Sequence, residues 1–127
     1  MILITGGAYQ GKTSYVQAHF SDAVTDGAVC SFDDAACAKI LNNYHILVRR
    51  LLDAGADAEA FTEAVCKANP DCIILIDEIG SGIIPLEKPE RIWRETVGRC
   101  GCMLAENADS VIRLVCGIPT AIKGELL

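Results

Sequence analysis

The sequence contains no hydrophobic run long enough to cross a membrane. Its longest apolar runs, such as residues 72–76, are far shorter than the about 20 residues that a membrane helix needs. The opening residues 1–5 have no charged segment before them and no small-residue cleavage site, so they predict a first β-strand and not a signal peptide. We therefore expect a cytoplasmic protein that does not associate with membranes.

A surplus of positive charge is also missing. Lys and Arg total 11 against 17 Asp and Glu, which gives a net charge of −6. Because nucleic-acid backbones are bound by clustered Lys and Arg, this balance argues against nucleic acid as a partner. A nucleotide is not excluded, since it needs only a local anion site.

The cysteines do not form the paired motifs of a zinc site. Their number, seven, is odd, so a complete intramolecular disulfide framework is excluded. The only close pair is the C-G-C sequence at 100–102, whereas zinc sites usually combine a C-x-x-C with a second ligand pair. Cys30, Cys72 and Cys116 fall within expected strands, where Cys behaves as a small buried hydrophobe.

Short apolar segments alternate with helical patterns along the chain. Strands are expected at 1–5, 28–32, 72–77 and 111–116, and helices at about 12–20, 57–69 and 90–106. The apolar spacing from Ile40 to Leu52 predicts one further long amphipathic helix that stops at Gly55. At 127 residues and 51% hydrophobic residues, the chain fits a single domain over 1–127. We expect an α/β fold with a small, mostly parallel sheet of four strands and helices on its faces.

The strongest motif is G-G-A-Y-Q-G-K-T at 6–13, which satisfies every position of the Walker A pattern between a strand and a helix. Glycines let backbone N–H groups surround an anion, and the helix N-terminus adds partial positive charge. Lys12 is expected at the β- and γ-phosphates, and the Thr13 hydroxyl at Mg²⁺. The expected nucleotide-binding residues are Gly6, Gly7, Ala8, Tyr9, Gln10, Gly11, Lys12, Thr13 and Ser14.

Two acids, Asp77 and Glu78, follow the apolar run at 72–76. Ligands of open parallel sheets bind at the carboxyl ends of strands, so this segment predicts a Walker B strand. Asp77 would hold Mg²⁺ through water, and Glu78 would orient or deprotonate a nucleophile. The alternative is that two acids simply begin a solvated loop, but their pairing with a Walker A motif favours the functional interpretation.

These segments resemble the adenosylcobinamide kinase/adenosylcobinamide-phosphate guanylyltransferase family. The first eight residues and the G-K pair at 11–12 look like its N-terminus, and E-I-G-S-G-I-I-P at 78–85 is similar to its E-V-G-x-G-I-V-P segment. The resemblance covers about residues 1–20 and 70–123. Further matches are Arg94-Glu95, Gly98-Arg99, Leu104-Ala105, Ala108-Asp109 and Gly117-Ile118-Pro119.

The resemblance implies a RecA-like P-loop fold of three α/β/α layers that uses ATP or GTP with Mg²⁺. It implies phosphorylation of the aminopropanol hydroxyl of adenosylcobinamide, a corrinoid small molecule. Lys12, Glu78, Arg94 and Arg99 are the catalytic candidates, the arginines because they could neutralise charge on the transferring phosphoryl group. Ordinary surface arginine is the alternative for both. The resemblance also implies a homo-oligomer, with a trimer as the form that family members take.

Two departures from the family pattern matter. Ile76-Asp77 stands where the family has Thr-Asn, and the middle of the chain is much shorter. That middle normally holds the histidine that becomes guanylylated. His45 is the only histidine in a comparable region, but its flanks do not reproduce the family motif and no orienting partner is evident. We therefore predict that His45 is structural and that the chain does not transfer guanylyl groups through a covalent histidine.

Two functional hypotheses follow. The first is a kinase that transfers a γ-phosphate to a hydroxyl of adenosylcobinamide or a similar acceptor, as the set of Lys12, Thr13, Asp77 and Glu78 favours. The second is a non-catalytic nucleotide-binding module, or a simple NTPase, that has lost guanylyltransferase activity. The shortened middle favours this second hypothesis, because an acceptor must be enclosed by part of the protein.

Overall fold

The computed structural model describes residues 1–80 and 86–127, in which a sheet of order β2-β3-β4-β1-β5-β6 is flanked by helices. All neighbouring strands are parallel except β5 and β6, which are antiparallel. The strands are β1 Ile2–Gly6, β2 Val24–Asp26, β3 Ile40–Asn42, β4 Ile73–Asp77, β5 Ser110–Val115 and β6 Ile118–Lys123. The helices are α1 Lys12–Gln17, α2 Phe32–Ala36, α3 Tyr44–Asp53, α4 Ala58–Ala68 and α5 Lys88–Asn107. The α/β class with a mostly parallel sheet is confirmed.

The buried side chains form two clusters, one on each face of the sheet. On one face, α2 to α5 pack against alternate strand residues that include Leu3, Leu41 and Ile74. On the other face, Val16 of the short helix α1 packs against the intervening residues, among them Ile4. Because successive strand residues point to opposite faces, apolar runs such as β4 supply both clusters. The expected three layers are therefore present, with a much thinner layer on the α1 face.

The expected strand at 28–32 is wrong, because β2 lies earlier, at Val24–Asp26. The Asp26 carboxylate accepts a hydrogen bond from the Ala28 N–H at 2.9 Å, which turns the chain directly after β2. Ser31 then caps α2 by accepting a hydrogen bond from the Asp34 N–H at 3.1 Å. These local side-chain bonds outweigh the strand preference of the residues between them, so Cys30 lies in a turn and not in a strand.

The single long helix expected from Ile40 is also wrong at its beginning. Residues Ile40–Asn42 form β3, between β2 and β4, and α3 starts only at Tyr44. Asn43 separates the two elements with a φ of 56°, a left-handed conformation that a helix interior does not accept. Two consecutive buried residues, Ile40 and Leu41, fit a helix stripe and a buried strand equally well, so periodicity alone could not separate the two.

Strand β6 was not expected, and it makes the sheet larger than the four strands predicted. Five of its six residues are exposed, so it lacks the apolar pattern of a buried strand. It forms a hairpin with β5 through Cys116 and Gly117, whose φ angles of 51° and 77° suit a two-residue hairpin turn. Cys116 is thus a turn residue, and Cys72 lies directly before β4.

The other expected elements are present with small shifts at their ends. Helix α1 begins at Lys12 as expected but stops at Gln17, and α4 begins after Asp57, whose carboxylate accepts a hydrogen bond from the Ala60 N–H at 3.0 Å. β4, α5 and β5 lie where the sequence predicts them. Among the described residues, no helix combines the length and the apolar character needed to span a membrane.

Candidate nucleotide-binding site

The loop between β1 and α1 lies at the carboxyl edge of the sheet, next to the end of β4. In the register of these parallel strands, Gly6 is the partner of Asp77. Gly6 has a φ of 147°, and a Cβ at this position would lie 2.5 Å from the Leu114 carbonyl oxygen on β5. Only glycine fits there, so the start of the loop is fixed between β4 and β5.

Lys12 folds back across this loop and contacts the acid at the end of β4. Its Nζ donates hydrogen bonds to the carbonyl oxygens of Gly6 at 3.2 Å and Gly7 at 2.7 Å. It also lies 2.7 Å from Oδ1 of Asp77. The lysine side chain is 7% exposed and the aspartate side chain 22%. The structure therefore brings the two predicted motifs together in a partly buried ion pair with oxygen acceptors on three sides of the lysine ammonium.

A pocket of about 500 Å³ opens at this point. The pocket is lined by most of the loop residues that the Walker A motif predicts and by Asp77. Two further lining residues, Asn42 and Asn43 at the end of β3, were predicted by neither motif. The Asn42 side-chain amide donates a hydrogen bond to Thr13 Oγ1 at 3.4 Å. The lining residues are Ala8, Tyr9, Gln10, Gly11, Lys12, Thr13, Ser14, Asn42, Asn43 and Asp77.

The two asparagines were missed because the apolar spacing from Ile40 to Leu52 predicted a helix at their positions. A polar pair directly after two buried apolar residues is a signal that could have identified a strand end.

The oxygen atoms of this pocket suit a magnesium ion. Thr13 Oγ1 and the Asp77 carboxylate line the same cavity, and hydroxyl and carboxylate oxygens are the ligands that Mg²⁺ prefers. Within residues 1–80 and 86–127, no group of three or more His, Cys, Asp and Glu side chains could hold a metal ion. A site with one or two protein ligands fits Mg²⁺, which usually keeps several waters and binds substrate phosphates as well.

His45, at the beginning of α3, lies against Asp77 and is 6% exposed. Its Nδ1 accepts a hydrogen bond from the Asp77 backbone N–H at 3.2 Å, and its Nε2 lies 3.4 Å from Oδ2 of the same residue. Burial lowers the pKa of the imidazole, the Asp77 carboxylate raises it, and the Lys12 ammonium lowers it, with a net lowering. A neutral ring with its proton on Nε2 fits these contacts.

Glu78 has different partners from its neighbour Asp77. Both of its carboxylate oxygens accept hydrogen bonds from Arg113 on β5, from Nε at 2.7 Å and from an Nη at 3.0 Å. The bond to Glu78 raises the pKa of the Arg113 guanidinium. The Glu78 backbone N–H donates to the Gly6 carbonyl at 2.9 Å, which continues the pairing of β4 with β1. Glu78 does not line the pocket, and no sequence pattern identifies Arg113 as its partner.

The two arginines predicted on α5 do not line the pocket either. Arg99 Nε donates a hydrogen bond to Glu59 of α4 at 3.0 Å, and an Nη donates to Thr96 Oγ1 at 3.4 Å. Arg94 is half-buried on the same helix. The structure therefore brings Lys12 and Asp77 together at the loop. Glu78 lies outside the pocket beside β5, and Arg94 and Arg99 lie outside it on α5.

A comparison of the sequence with protein families finds a match. The family model described as cobinamide kinase / cobinamide phosphate guanyltransferase matches residues 35–122, more than two thirds of the chain. The chain belongs to this family. No curated protein matches the sequence.

The family match confirms the resemblance and changes its extent. It includes β4, α5, β5 and most of β6, where the resemblance was seen, and it also includes residues 35–69, which the resemblance did not cover. It begins after the phosphate loop, so the roles of residues 6–14 depend on the Walker A motif and on the geometry of the pocket. Residues 81–85, the second part of the family segment at 78–85, lie outside the described residues.

In this member of the cobinamide kinase / cobinamide phosphate guanyltransferase family, the β5–β6 turn supports the phosphate loop. Gln10 accepts hydrogen bonds from both turn residues, through its side-chain Oε1 from the Cys116 N–H at 2.7 Å and through its carbonyl oxygen from the Gly117 N–H at 2.9 Å. A Cβ on Gly11 would lie 3.4 Å from the Gly117 Cα. The matched segment thus supplies both Asp77 and the turn on which the loop rests.

Proposed function

We propose that this chain is a Mg²⁺-dependent P-loop kinase that transfers the γ-phosphate of ATP or GTP to a hydroxyl group of adenosylcobinamide or a similar corrinoid acceptor in cobalamin biosynthesis. The observation that carries the proposal is the 2.7 Å contact between Lys12 Nζ and Asp77 Oδ1 inside the pocket of a family member. The lysine of a Walker A motif and the acid of a Walker B strand must lie close together to serve one phosphate site, and the contact between these two residues supports that assignment.

Lys12 would supply the main positive charge for the nucleotide. The Gly6 and Gly7 carbonyls and the Asp77 carboxylate surround its ammonium group. Oxygens of the β- and γ-phosphates would replace these acceptors, with the loop N–H groups binding the same phosphates. As charge shifts during transfer, the lysine, whose side chain is buried, would stabilise the phosphoryl oxygens.

Thr13 and Asp77 would hold the magnesium ion, Thr13 through Oγ1 and Asp77 through its carboxylate. When bound there, Mg²⁺ would neutralise part of the charge of the nucleotide phosphates. Asn42 keeps the Thr13 hydroxyl in place through its side-chain amide. These residues come from α1, β4 and β3, so the site depends on the correct pairing of the three central parallel strands.

Glu78 would orient or deprotonate the acceptor hydroxyl, and Arg94 and Arg99 would neutralise charge on the transferring phosphoryl group. For Glu78, this role requires its ion pair with Arg113 to open, since both carboxylate oxygens are engaged there. For Arg99, it requires release from Glu59. Both pairs are substantially exposed, and exposed ion pairs are weak, so a bound acceptor could displace them.

The alternative function is a non-catalytic nucleotide-binding module or a simple NTPase. The observation that favours it is that Glu78 and Arg99 are held outside the pocket by ion pairs. Lys12, Thr13 and Asp77 would be sufficient to bind Mg²⁺-nucleotide without an acceptor. Guanylyl transfer through His45 is not part of either function, because both of its ring nitrogens face Asp77.

Transfer of labelled γ-phosphate to adenosylcobinamide tests the proposal. The protein is incubated with Mg²⁺ and γ-labelled ATP or GTP, and the corrinoid is separated from inorganic phosphate. We expect label on the corrinoid, and none with Lys12→Ala. Label in inorganic phosphate alone would favour an NTPase. Nucleotide binding without release of label, as measured by calorimetry, would favour the binding module.

We also propose that the chain is a homo-oligomer. Strand β6 lies at the end of the sheet order, and Ile118 and Ile122 on it are 68% and 60% exposed. Exposed apolar edge strands tend to be covered by another chain. Light scattering at the working concentration tests this, and a native protein that remains a monomer would contradict it.

A further inference from the structure

We propose that His45 is a positioning residue that holds Asp77 in place for phosphoryl transfer. This inference rests on the proposed kinase function, and it adds a residue to which the Walker motifs assign no role. A histidine beside the nucleotide-binding site of a member of this family could be interpreted as the nucleophile of guanylyl transfer. The geometry points instead to a support for the acid at the end of β4.

The first observation is that His45 contacts Asp77 at two separate points. The backbone N–H of Asp77 donates to Nδ1 at 3.2 Å, which leaves Nε2 to carry the ring proton. Nε2 lies 3.4 Å from Oδ2, the carboxylate oxygen that does not contact Lys12. One imidazole ring therefore restricts both the main chain of Asp77 and the rotation of its carboxylate.

The second observation is that His45 is itself fixed. Its side chain is 8% exposed, and its carbonyl oxygen accepts a hydrogen bond from the Trp93 Nε1–H of α5 at 2.8 Å. His45 is the second residue of α3, after the left-handed N-cap residue Asn43 and the buried Tyr44. The backbone of His45 is therefore tied to α5 while its buried ring lies against the end of β4, and a fixed residue of this kind can orient another side chain.

The need for such a support follows from the movement expected of Lys12. When the lysine turns to the phosphates, Oδ1 of Asp77 loses its 2.7 Å partner, whereas the contacts with His45 remain. Without the ring, the carboxylate would be free to rotate. Misplacing a group that acts in the transition state lowers turnover more than ground-state affinity. We therefore expect His45 to affect kcat and to leave nucleotide binding nearly unchanged.

Three variants separate positioning from simple packing. His45→Phe keeps a ring of similar size but removes both nitrogens, while His45→Asn retains an acceptor for the Asp77 N–H and His45→Gln retains a donor for its carboxylate. We expect about a 10- to 100-fold lower kcat for His45→Phe, as is usual when the support of an active-site ligand is removed. Partial recovery is expected in one or both of the amide variants, with the nucleotide KM within about threefold throughout.

Tyr44→Phe serves as the matched control. Tyr44 is the adjacent buried residue, but its hydroxyl pairs with Thr62 Oγ1 at 2.7 Å, away from the pocket. We expect this variant to lower thermal stability and to leave kcat unchanged. A His45→Phe protein with native kcat, or one whose kcat falls only in step with its folded fraction, would overturn the inference.

Nitrogen NMR of the histidine ring provides a readout that does not depend on activity. We expect an unprotonated Nδ1 and a protonated Nε2 in the native protein, and a shift of the Asp77 amide resonance in His45→Phe. The opposite tautomer, or an unchanged Asp77 amide, would overturn the inference. If the native protein transfers no phosphate, the proposed function fails while these resonances still test the contact between His45 and Asp77.

Discussion

Asp77 and Glu78 are adjacent acids at the end of the same strand, yet they have different surroundings. Asp77 lies in the pocket beside Lys12 and His45, and its side chain is 22% exposed. Glu78 pairs with Arg113, and its side chain is 34% exposed. Asp77 is the last residue of β4 and Glu78 continues its pairing with β1 by one residue, so the two side chains point to opposite faces and meet different surroundings. The difference supports the proposal that the first acid serves the phosphate site, while the second is engaged in a surface ion pair.

The largest expected effect comes from removing the ammonium group of Lys12, which contacts Asp77. We predict that Lys12→Ala weakens Mg²⁺-ATP and Mg²⁺-GTP binding about 100-fold or more. Each hydrogen bond to a charged group contributes about 1.5–3 kcal/mol, and about 1.4 kcal/mol corresponds to a factor of ten. Isothermal titration measures the change.

Lys39→Ala is the control, because Lys39 is a surface lysine whose pair with Asp22 lies outside the pocket. Native affinity in Lys12→Ala would show that the phosphates bind elsewhere.

The next effect separates the two acids directly. We predict that Asp77→Asn lowers Mg²⁺-dependent turnover about 100-fold while changing nucleotide affinity much less, because a metal-holding acid contributes most where charge develops. Steady-state kinetics and calorimetry on the same protein measure the two quantities. Equal losses in both would assign Asp77 a purely structural role.

A smaller effect is expected on the Glu78 side. We predict that Glu78→Gln lowers turnover by about tenfold or less and leaves nucleotide affinity unchanged, since the carboxylate lies outside the pocket. The loss of its exposed ion pair should change folding stability very little. Arg113→Gln opens the same ion pair without removing the acid, so it is the matched variant. A loss for Glu78→Gln as large as that for Asp77→Asn would remove the distinction between the two acids.

The last prediction is that the protein forms no covalent intermediate with GTP. We predict that incubation with α-labelled GTP leaves no label on the protein after denaturing electrophoresis, because a nucleophilic histidine needs a free ring nitrogen and both nitrogens of His45 face Asp77. His45→Ala is run in parallel. An acid-labile, base-stable label that disappears in this variant would restore the guanylyltransferase activity and contradict the positioning role.

Much of this site could be predicted because its signals are local. The glycines of the phosphate loop and the capping residue Asp57 each determine the structure of their own neighbourhood through steric freedom or a nearby hydrogen bond, and Asp77 stands directly after the apolar run of β4. The position of α4, α5, β4 and β5 followed from apolar patterns long enough to distinguish a helix from a strand. Family resemblance added the corrinoid acceptor, which no local pattern contains.

The sequence by itself determined the phosphate loop, the acid opposite it and the α/β class. Tertiary structure alone decided that Ile40–Asn42 is a strand, because three residues acquire that conformation by pairing with β2 and β4 and not from their own periodicity. The same pairing brings Asn42 to Thr13 and His45 to Asp77, residues that are 29 and 32 positions apart in the chain. Contacts over such distances depend on how the strands order themselves, and strand order is set by packing of the whole sheet.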